Sequence, residues 1–222
     1  MNRKFLSFLF SLLFLYSCGT LDSSRIAPGY FEAIKTIKGY LAGYENDSIT
    51  PELIKGIPYA SSVLKIGKGA PGLIILESLR GTEETWVSSD RIYLVIEKGR
   101  IIKSIGFFNN LVSFKSAKID FKRLVSSGES EPFVYYYSYD EPELINMKVY
   151  GERRFIRSEK VQLLGYEKQL NLIEESFSND YIGWQETNKF WVDDEMFVWK
   201  SKQFISPKLP EFNVEVTKKP AK

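Results

Sequence analysis

Carboxylates are the side chains of this 222-residue chain best suited to acid–base chemistry, because the sequence contains no histidine. A glycoside hydrolase needs two carboxylates, about 5 to 9.5 Å apart across a sugar ring. Neighbouring carboxylates occur at Glu83–Glu84, Glu174–Glu175 and Asp193–Asp194–Glu195. Adjacent residues of a strand point to opposite faces of a sheet, so none of these groups forms a catalytic pair by itself. The sequence therefore predicts no catalytic residues, and an enzyme with two carboxylates that modifies a polysaccharide is the alternative hypothesis.

Sites for metals, nucleotides and nucleic acids are not indicated. One cysteine without any histidine gives no cluster of the ligands that zinc prefers. The stretch "GKGAPG" at 67–72 lacks the spacing of a phosphate-binding loop and is typical of a turn. Residues 1–17 hold two of the 30 Lys and Arg residues and none of the 28 Asp and Glu residues. The rest of the chain has no net charge, so we predict no nucleic-acid partner. Without a ligand cluster or a phosphate-binding loop, we predict no metal and no cofactor.

The single cysteine, Cys18, follows a segment typical of a secretory signal peptide. Arg3 and Lys4 precede the apolar run "FLSFLFSLLFLY" at 5–16, which is too short to span a bilayer as a helix. The stretch "LYSC" resembles a bacterial lipobox, in which the cysteine is acylated and becomes the new N-terminus. Two or three acyl chains are needed for stable anchoring. We therefore predict a signal peptide at 1–17 and lipidation of Cys18.

The residues after Cys18 suggest the location and the domain organisation. In such lipoproteins an aspartate after the cysteine favours the inner membrane, and Gly19 therefore favours the outer membrane. We expect a lipidated N-terminus and tether at 18–27, a single β-rich domain at 28–216 and a flexible tail at 217–222. The expected location is the periplasmic face of the outer membrane.

The periodicity of apolar residues predicts a mainly β domain with one or two short N-terminal helices. Apolar residues at spacings of three and four predict a helix over 28–44, and Thr50 followed by Pro51 predicts a second helix start. From Tyr59 onward, short apolar runs separated by turn residues predict ten or more strands. The runs lie at 59–66, 72–78, 84–89, 91–97, 100–108, 133–139, 146–156, 160–167, 169–177, 184–192 and 196–205. This spacing favours an antiparallel barrel-like or sandwich domain.

Tryptophans near the C-terminus suggest a surface for a sugar ring. Trp199 shares an expected strand face with Ser201 and Gln203, and Trp191 follows Phe190. An aromatic ring beside amides and hydroxyls is typical of a carbohydrate groove, but it is also typical of a barrel wall, which the sequence favours. Both interpretations remain open from the sequence.

Four stretches together resemble the YjbF/GfcB family of lipoproteins, which is associated with group 4 capsule and related exopolysaccharide operons. They are "GIPYAS" (56–61), "WVSSD" (86–90), "EKGRIIKSIGFFNNL" (97–111) and "NKFWVDDEMFVWKSKQFISPKLP" (188–210). The resemblance implies a mainly β, barrel-like fold. It also implies a role in polysaccharide secretion or assembly, beside an outer-membrane porin-like protein and periplasmic partners from the same operon. It implies no catalytic residues.

The resulting hypothesis is a non-enzymatic, lipid-anchored factor for export or assembly of an exopolysaccharide, in contact with the glycan, the secretion channel or both. The candidate binding residues are Asp90, Arg100, Asn188, Trp191 and Gln203. For Asp90 and Arg100 the alternative role is a structural ion pair or turn cap. A purely structural adaptor is a further alternative, and an exposed apolar patch would distinguish it.

Overall fold

The computed structural model describes residues 49–117 and 119–221. The predicted signal peptide, the lipidation site at Cys18, the tether and the helix predicted over 28–44 lie outside the described residues. Neither helix within the described ranges is long and apolar enough to cross a membrane.

Twelve antiparallel strands form one sheet in the order β5-β4-β3-β2-β1-β12-β11-β10-β9-β8-β7-β6. The two described helices are α1 (Pro51–Gly56) and α2 (Phe121–Ser127). The strands are β1 (Ser61–Ile66), β2 (Gly72–Arg80), β3 (Glu83–Ser88), β4 (Tyr93–Glu97), β5 (Arg100–Ile105), β6 (Leu111–Ser116), β7 (Glu131–Tyr139), β8 (Leu144–Leu163), β9 (Tyr166–Asn179), β10 (Trp184–Val192), β11 (Val198–Gln203) and β12 (Phe212–Lys218).

The sheet curls into a nearly closed barrel, which decides between the two predicted architectures. Its two edge strands, β5 and β6, are consecutive in the sequence and contact each other across the gap between the two edges of the sheet. There the backbone N–H of Leu111 donates to Ser104 Oγ at 2.9 Å, where a closed barrel would have a backbone ladder. The predicted mainly β, barrel-like fold is confirmed.

Because neighbouring strands run in opposite directions, successive connections alternate between the two ends of the barrel. We call the end where the described chain enters β1 and leaves β12 the proximal end. It also carries the turns at 81–82, 98–99, 164–165 and 193–197, and the segment 117–130 with α2. The opposite, distal end carries the other six connections, at 67–71, 89–92, 106–110, 140–143, 180–183 and 204–211.

The core fills the inside of the barrel with side chains that alternate along each strand. On β7 the inward residues are Phe133, Tyr135, Tyr137 and Tyr139, all buried, whereas Tyr136 between them is exposed. Aromatic rings pack edge-on through this interior, as between Tyr137 and Trp184, whose centroids are 5.5 Å apart. The aromatic content of the sequence therefore serves mainly to fill the barrel.

The predicted helix start at Thr50 is confirmed, because Thr50 Oγ1 accepts from the N–H of Leu53 at 3.3 Å. The sequence missed β6, α2 and β12 and split β8 into two strands. Thr217 and Lys218, assigned from the sequence to a tail, belong to β12. There Thr217 Oγ1 donates to the carbonyl of Ser61 at 2.8 Å.

Candidate functional site

Polar side chains form a row across the inner face of five neighbouring strands. Glu131 on β7 pairs with Arg153 on β8, Arg153 with Glu175 on β9, and Glu175 with Asn188 on β10. The register of β10 and β11 then places Gln203 across from Asn188. Glu175 is 0 % exposed and Arg153 is 2 % exposed. We call these five residues the polar row; it is a buried charged element inside an otherwise aromatic core.

Arg100, at the start of β5, joins the polar row from across the barrel. Its Nη2 lies 2.6 Å from Glu175 Oε2, and Tyr135 donates its hydroxyl to Glu175 Oε1 at 2.7 Å. The guanidinium lies 4.7 Å from the ring centre of Phe190 and 5.2 Å from that of Phe114. Burial lowers the pKa of Arg100, but the charge and hydrogen bond of Glu175, together with Tyr135 and Tyr137, more than offset this and leave that pKa above its ordinary value. Arg100 is therefore a permanently charged group in the interior.

The two amide side chains of the polar row, Asn188 and Gln203, form hydrogen bonds with backbone groups. Gln203 Oε1 accepts from the N–H of Ile101 at 3.0 Å, and its Nε2 donates to the carbonyl of Gly99 at 2.9 Å. Asn188 Oδ1 accepts from the N–H of Phe204 at 2.8 Å. The bonds of Gln203 fasten the β4–β5 turn and the start of β5 to β11, and the bond of Asn188 joins β10 to the residue after β11.

Several buried donors near the polar row have no hydrogen-bond partner among the described residues. They are Arg100 Nε and the Nε and Nη1 of Arg153. Arg153 stacks over the ring of Phe133, 4.8 Å from its centre, and its Nε is 4.0 Å from Glu131 Oε2. An unpaired buried donor is costly, so native proteins seldom keep one without a role.

Arg100 also lines a cleft of about 750 Å³ between β5 and β6. The two strands meet at the distal end, through Ser104 and Leu111, and the cleft lies where they separate toward the proximal end. Its walls include the apolar side chains Ile102, Phe114 and Phe121, and its charged residues besides Arg100 are Glu97, Lys98, Lys115, Asp120, Lys122 and Glu195. We call it the seam cleft; its volume is typical of a small-molecule site.

A second cavity, of about 370 Å³, occupies the barrel interior at the proximal end. We call it the mouth pocket. Its apolar wall includes Trp86, Ile96, Val198, Val214 and Val216. Burial raises the pKa of Glu84, which also lines it, although the indole N–H of Trp86 donates to that carboxylate at 3.0 Å.

The seam cleft and the mouth pocket share Lys98, Glu195 and Met196 as a common wall. Lys98 and Met196 have positive φ angles of 48° and 64°, which are uncommon for residues with a side chain. Gly99 has φ 80°, and a Cβ there would collide with the side chain of Val198. Backbone strain of this kind concentrates at functional sites.

Asp193 holds the shared wall in place. Its Oδ1 accepts from the backbone N–H of Phe197 at 2.9 Å, and its Oδ2 accepts from the indole N–H of Trp199 at 2.8 Å. Burial raises the pKa of the Asp193 carboxyl. These two hydrogen bonds and the positive charge of Lys219 together lower that pKa by more, so it lies below its ordinary range.

We expect Asp193→Asn to lower the free energy of unfolding by about 1 kcal/mol at neutral pH, because the amide replaces an acceptor of Trp199 by a donor. A depressed carboxyl pKa stabilises the fold above the unfolded value of about 3.9 and loses that effect as pH falls through the folded value. The difference between wild type and variant, measured by urea unfolding, should therefore shrink below about pH 4. A pH-independent difference would contradict this.

The structure brings together three of the five binding residues predicted from sequence. Asn188 and Gln203 belong to the polar row inside the barrel, and Arg100 joins it through Glu175. Asp90 is exposed in the β3–β4 turn at the distal end. Trp191 lies on the outer face, where its indole N–H donates to Glu159 Oε1 at 2.8 Å. Sequence reasoning missed Arg153 and considered Glu175 only as one of two neighbouring carboxylates, although both lie on the inward face of long strands.

Trp199 does not share a face with Ser201 and Gln203, contrary to the sequence-based expectation. Lys200 pairs with Trp191 and Val198 with Val192, so Trp199 is the extra residue of a β-bulge. The bulge turns its ring to the outer face. Trp199 and Trp191 there pack against an apolar cluster of Val161, Leu163 and Leu170 from the end of the β8–β9 hairpin.

The neighbouring carboxylates lie on opposite sides of the sheet where the strands alternate. Glu174 faces outward and binds Lys189 Nζ at 2.9 Å, whereas Glu175 faces the interior. Within the described ranges, no group of three or more cysteines and carboxylates is arranged to hold a metal ion.

Comparison with known proteins identifies relatives over most of the chain. The sequence pattern of the family described as "Group 4 capsule polysaccharide lipoprotein gfcB, YjbF" matches residues 34–217. The chain is 21 % identical over 169 residues to the uncharacterized lipoprotein YjbF of Escherichia coli K12, covering 74 % of this chain and 78 % of that protein. It is 21 % identical over 112 residues to the uncharacterized lipoprotein GfcB of the same organism, covering 50 % of each.

The fold has a counterpart among solved structures. The crystal structure of the hypothetical lipoprotein YmcC from Escherichia coli K12 superposes with a TM-score of 0.65 and 22 % sequence identity. The match covers 79 % of this chain and 91 % of that chain. The similarity shows a shared architecture.

Proposed function

Because the chain belongs to the YjbF family of group 4 capsule polysaccharide lipoproteins, we propose that it is an accessory factor in the export or assembly of an exopolysaccharide. In this proposal Cys18 carries the lipid, the protein is held at the outer membrane, and the barrel faces the periplasm. It acts by holding polymer, without catalysing a reaction.

The seam cleft carries this proposal, because it combines aromatic walls with buried and exposed polar groups. Arg100 offers an unpartnered Nε at the floor, and Phe114 and Phe121 provide apolar ring faces. Charges of both signs surround the cleft, with lysines at 98, 115 and 122. Rings beside a few fixed polar groups suit a polymer rich in hydroxyls, and the lysines favour one that bears acidic groups.

The hydrogen bonds to the buried carboxylate of Glu175 support a role without catalysis. Glu175 accepts from Arg100 with one oxygen and from Tyr135 with the other, so both oxygens have a structural partner. In the seam cleft, Asp120 caps α2 by accepting from the N–H of Arg123 at 3.0 Å. These carboxylates have structural partners, whereas a glycosidase needs one of its two to act as an acid.

A role as adaptor for a secretion channel is the second candidate, and one observation favours it. The distal end and the strand residues beside it expose the apolar side chains of Ile105, Phe108, Val112 and Ile145. Exposed apolar side chains near one another often mark a protein interface. A porin-like outer-membrane protein, or periplasmic partners from the same operon, would dock there.

We expect the chain from residue 18, with Cys18→Ser, to bind purified exopolysaccharide of the source organism saturably in calorimetric titration. The variant Lys115→Ala/Lys122→Ala removes two exposed cations of the seam cleft and should weaken binding about tenfold.

The matched control is Lys65→Ala/Lys103→Ala, which removes two exposed lysines of β1 and β5 that do not line the cleft. It should bind like the parent. An equal loss of binding in both variants would mean that the overall positive charge of the protein, and not the seam cleft, determines binding. No binding by the parent would exclude the glycan-holding role and favour the adaptor.

A further inference from the structure

The mouth pocket differs in chemistry from the seam cleft beside it. We propose that it binds one acyl chain of a phospholipid from the membrane to which the protein is anchored. This inference rests on the lipid anchoring in the proposed function, but not on glycan binding. The protein would then engage the membrane at two points, its own anchor and this pocket.

The walls of the mouth pocket suit a hydrocarbon chain. Branched aliphatic side chains of three strands line it together with the indole of Trp86; they are Ile96, Val198, Val214 and Val216. Its volume of about 370 Å³ is at the lower end of the usual range for ligand sites. A cavity of this size with such walls favours a single apolar chain.

One buried hydroxyl in the pocket lacks a partner. Ser62 is 1 % exposed and lines the mouth pocket, and its Oγ has no hydrogen-bond partner among the described residues. Ser61 beside it, in contrast, bonds with Thr217. A buried hydroxyl that stays unpaired is costly, and an ester carbonyl of a lipid would satisfy it.

Lysines lie around the opening and suit a phosphate head group. Lys98, Lys200 and Lys219 line the pocket. Lys200 binds Glu215 at 3.1 Å and Lys219 binds Asp193 at 3.4 Å, whereas Lys98 has no ion-pair partner in the described part of the chain. Lys98 also belongs to the wall shared with the seam cleft, so a head group there would lie between the two cavities.

The pocket opens at the proximal end, where the chain leads back toward the predicted anchor. Residue 49 begins the described chain at this end, and residues 18–48 separate it from the lipid. These 31 residues reach at most about 100 Å when fully extended. The mouth pocket therefore lies on the side of the barrel from which the tether leaves.

The test uses the chain from residue 18 with Cys18→Ser and phosphatidylglycerol vesicles whose acyl chains are brominated. Bromine quenches tryptophan emission on contact, and the buried Trp86 lines the pocket from inside the barrel. We expect saturable quenching. Val216→Phe, which fills the pocket, should raise the vesicle concentration for half-maximal quenching about tenfold. Val134→Phe, at a partly exposed outward position of β7 that lines neither cavity, is the matched control and should quench like the parent.

Ser62→Ala separates a ligand role from a structural one. Because the hydroxyl has no partner in the unliganded protein, we expect its removal to leave the melting temperature unchanged or higher. Quenching should need about fivefold more vesicles. A purely structural serine would show the reverse pattern, with a lower melting temperature and unchanged quenching.

Equal quenching in the parent and Val216→Phe would overturn the proposal, because the quenching would then report binding of vesicles to the protein surface and not entry of an acyl chain into the pocket. If quenching is absent but appears after deletion of residues 28–44, the pocket belongs to that segment of the chain and the proposal is wrong. Absent quenching together with saturable glycan binding would reject the lipid site alone. Quenching without glycan binding would reject the glycan role alone.

Discussion

Replacing Glu175 by glutamine should lower the free energy of unfolding by about 3 to 5 kcal/mol. Glu175 is 0 % exposed and is the ion-pair partner of Arg100. Removing its charge leaves the Arg100 guanidinium charged and unpaired in the barrel interior. Urea denaturation followed by circular dichroism measures the change.

The adjacent residue provides the control for this substitution. Glu174 binds Lys189 and Arg154 on the outer face of the same strand, and Glu174→Gln should cost about 1 kcal/mol or less. The double variant Arg100→Met/Glu175→Leu should regain most of the loss, since it removes both charges. Equal effects of Glu174→Gln and Glu175→Gln would contradict the assigned burial of the pair.

Replacing Gly151 by alanine should destabilise the barrel by about 2 to 3 kcal/mol or prevent folding. An added Cβ would lie 2.5 Å from the carbonyl oxygen of Ser176 and would collide with the ring of Phe133. The carbonyl belongs to the neighbouring strand β9, so it cannot rotate away as a side chain would. Arg153 also stacks on the Phe133 ring, so displacing the ring disturbs the polar row.

Gly72→Ala is the matched substitution, because Gly72 also lies in a strand but its added Cβ would meet only the carbonyl of Leu64, at 3.9 Å. We expect that variant to unfold within about 0.5 kcal/mol of the wild type. Thermal and urea unfolding of the two variants side by side test the comparison. If Gly151→Ala is as stable as Gly72→Ala, the close packing of β7, β8 and β9 is wrong.

The family and the barrel fold could be predicted from the sequence because both are marked by patterns within short stretches of neighbouring residues. The four motif stretches identify the family, and alternating apolar residues identify most strands. β8 was divided because the polar residues Arg157, Ser158 and Glu159 interrupt its apolar pattern. β12 was missed because two prolines precede it and its sequence is short and half-polar.

The candidate sites were harder to predict because they depend on register and curvature. Arg100 and Glu175 are 75 positions apart, and only closure of the sheet brings them together. Strand alternation by itself puts Trp199 beside Ser201, but a single bulge residue reverses that placement. No local property of the sequence marks such a bulge.

Pairing of the first strand with the last has a consequence for how the protein folds. β1 pairs only with β2 and β12, and the contact between Ser61 and Thr217 joins residues 156 positions apart. Such non-local pairing slows folding, because a long loop must close before the contact forms. The β1–β12 pairing cannot form until nearly all of the chain is available. Folding therefore has a late step that a chain truncated before Phe212 cannot complete.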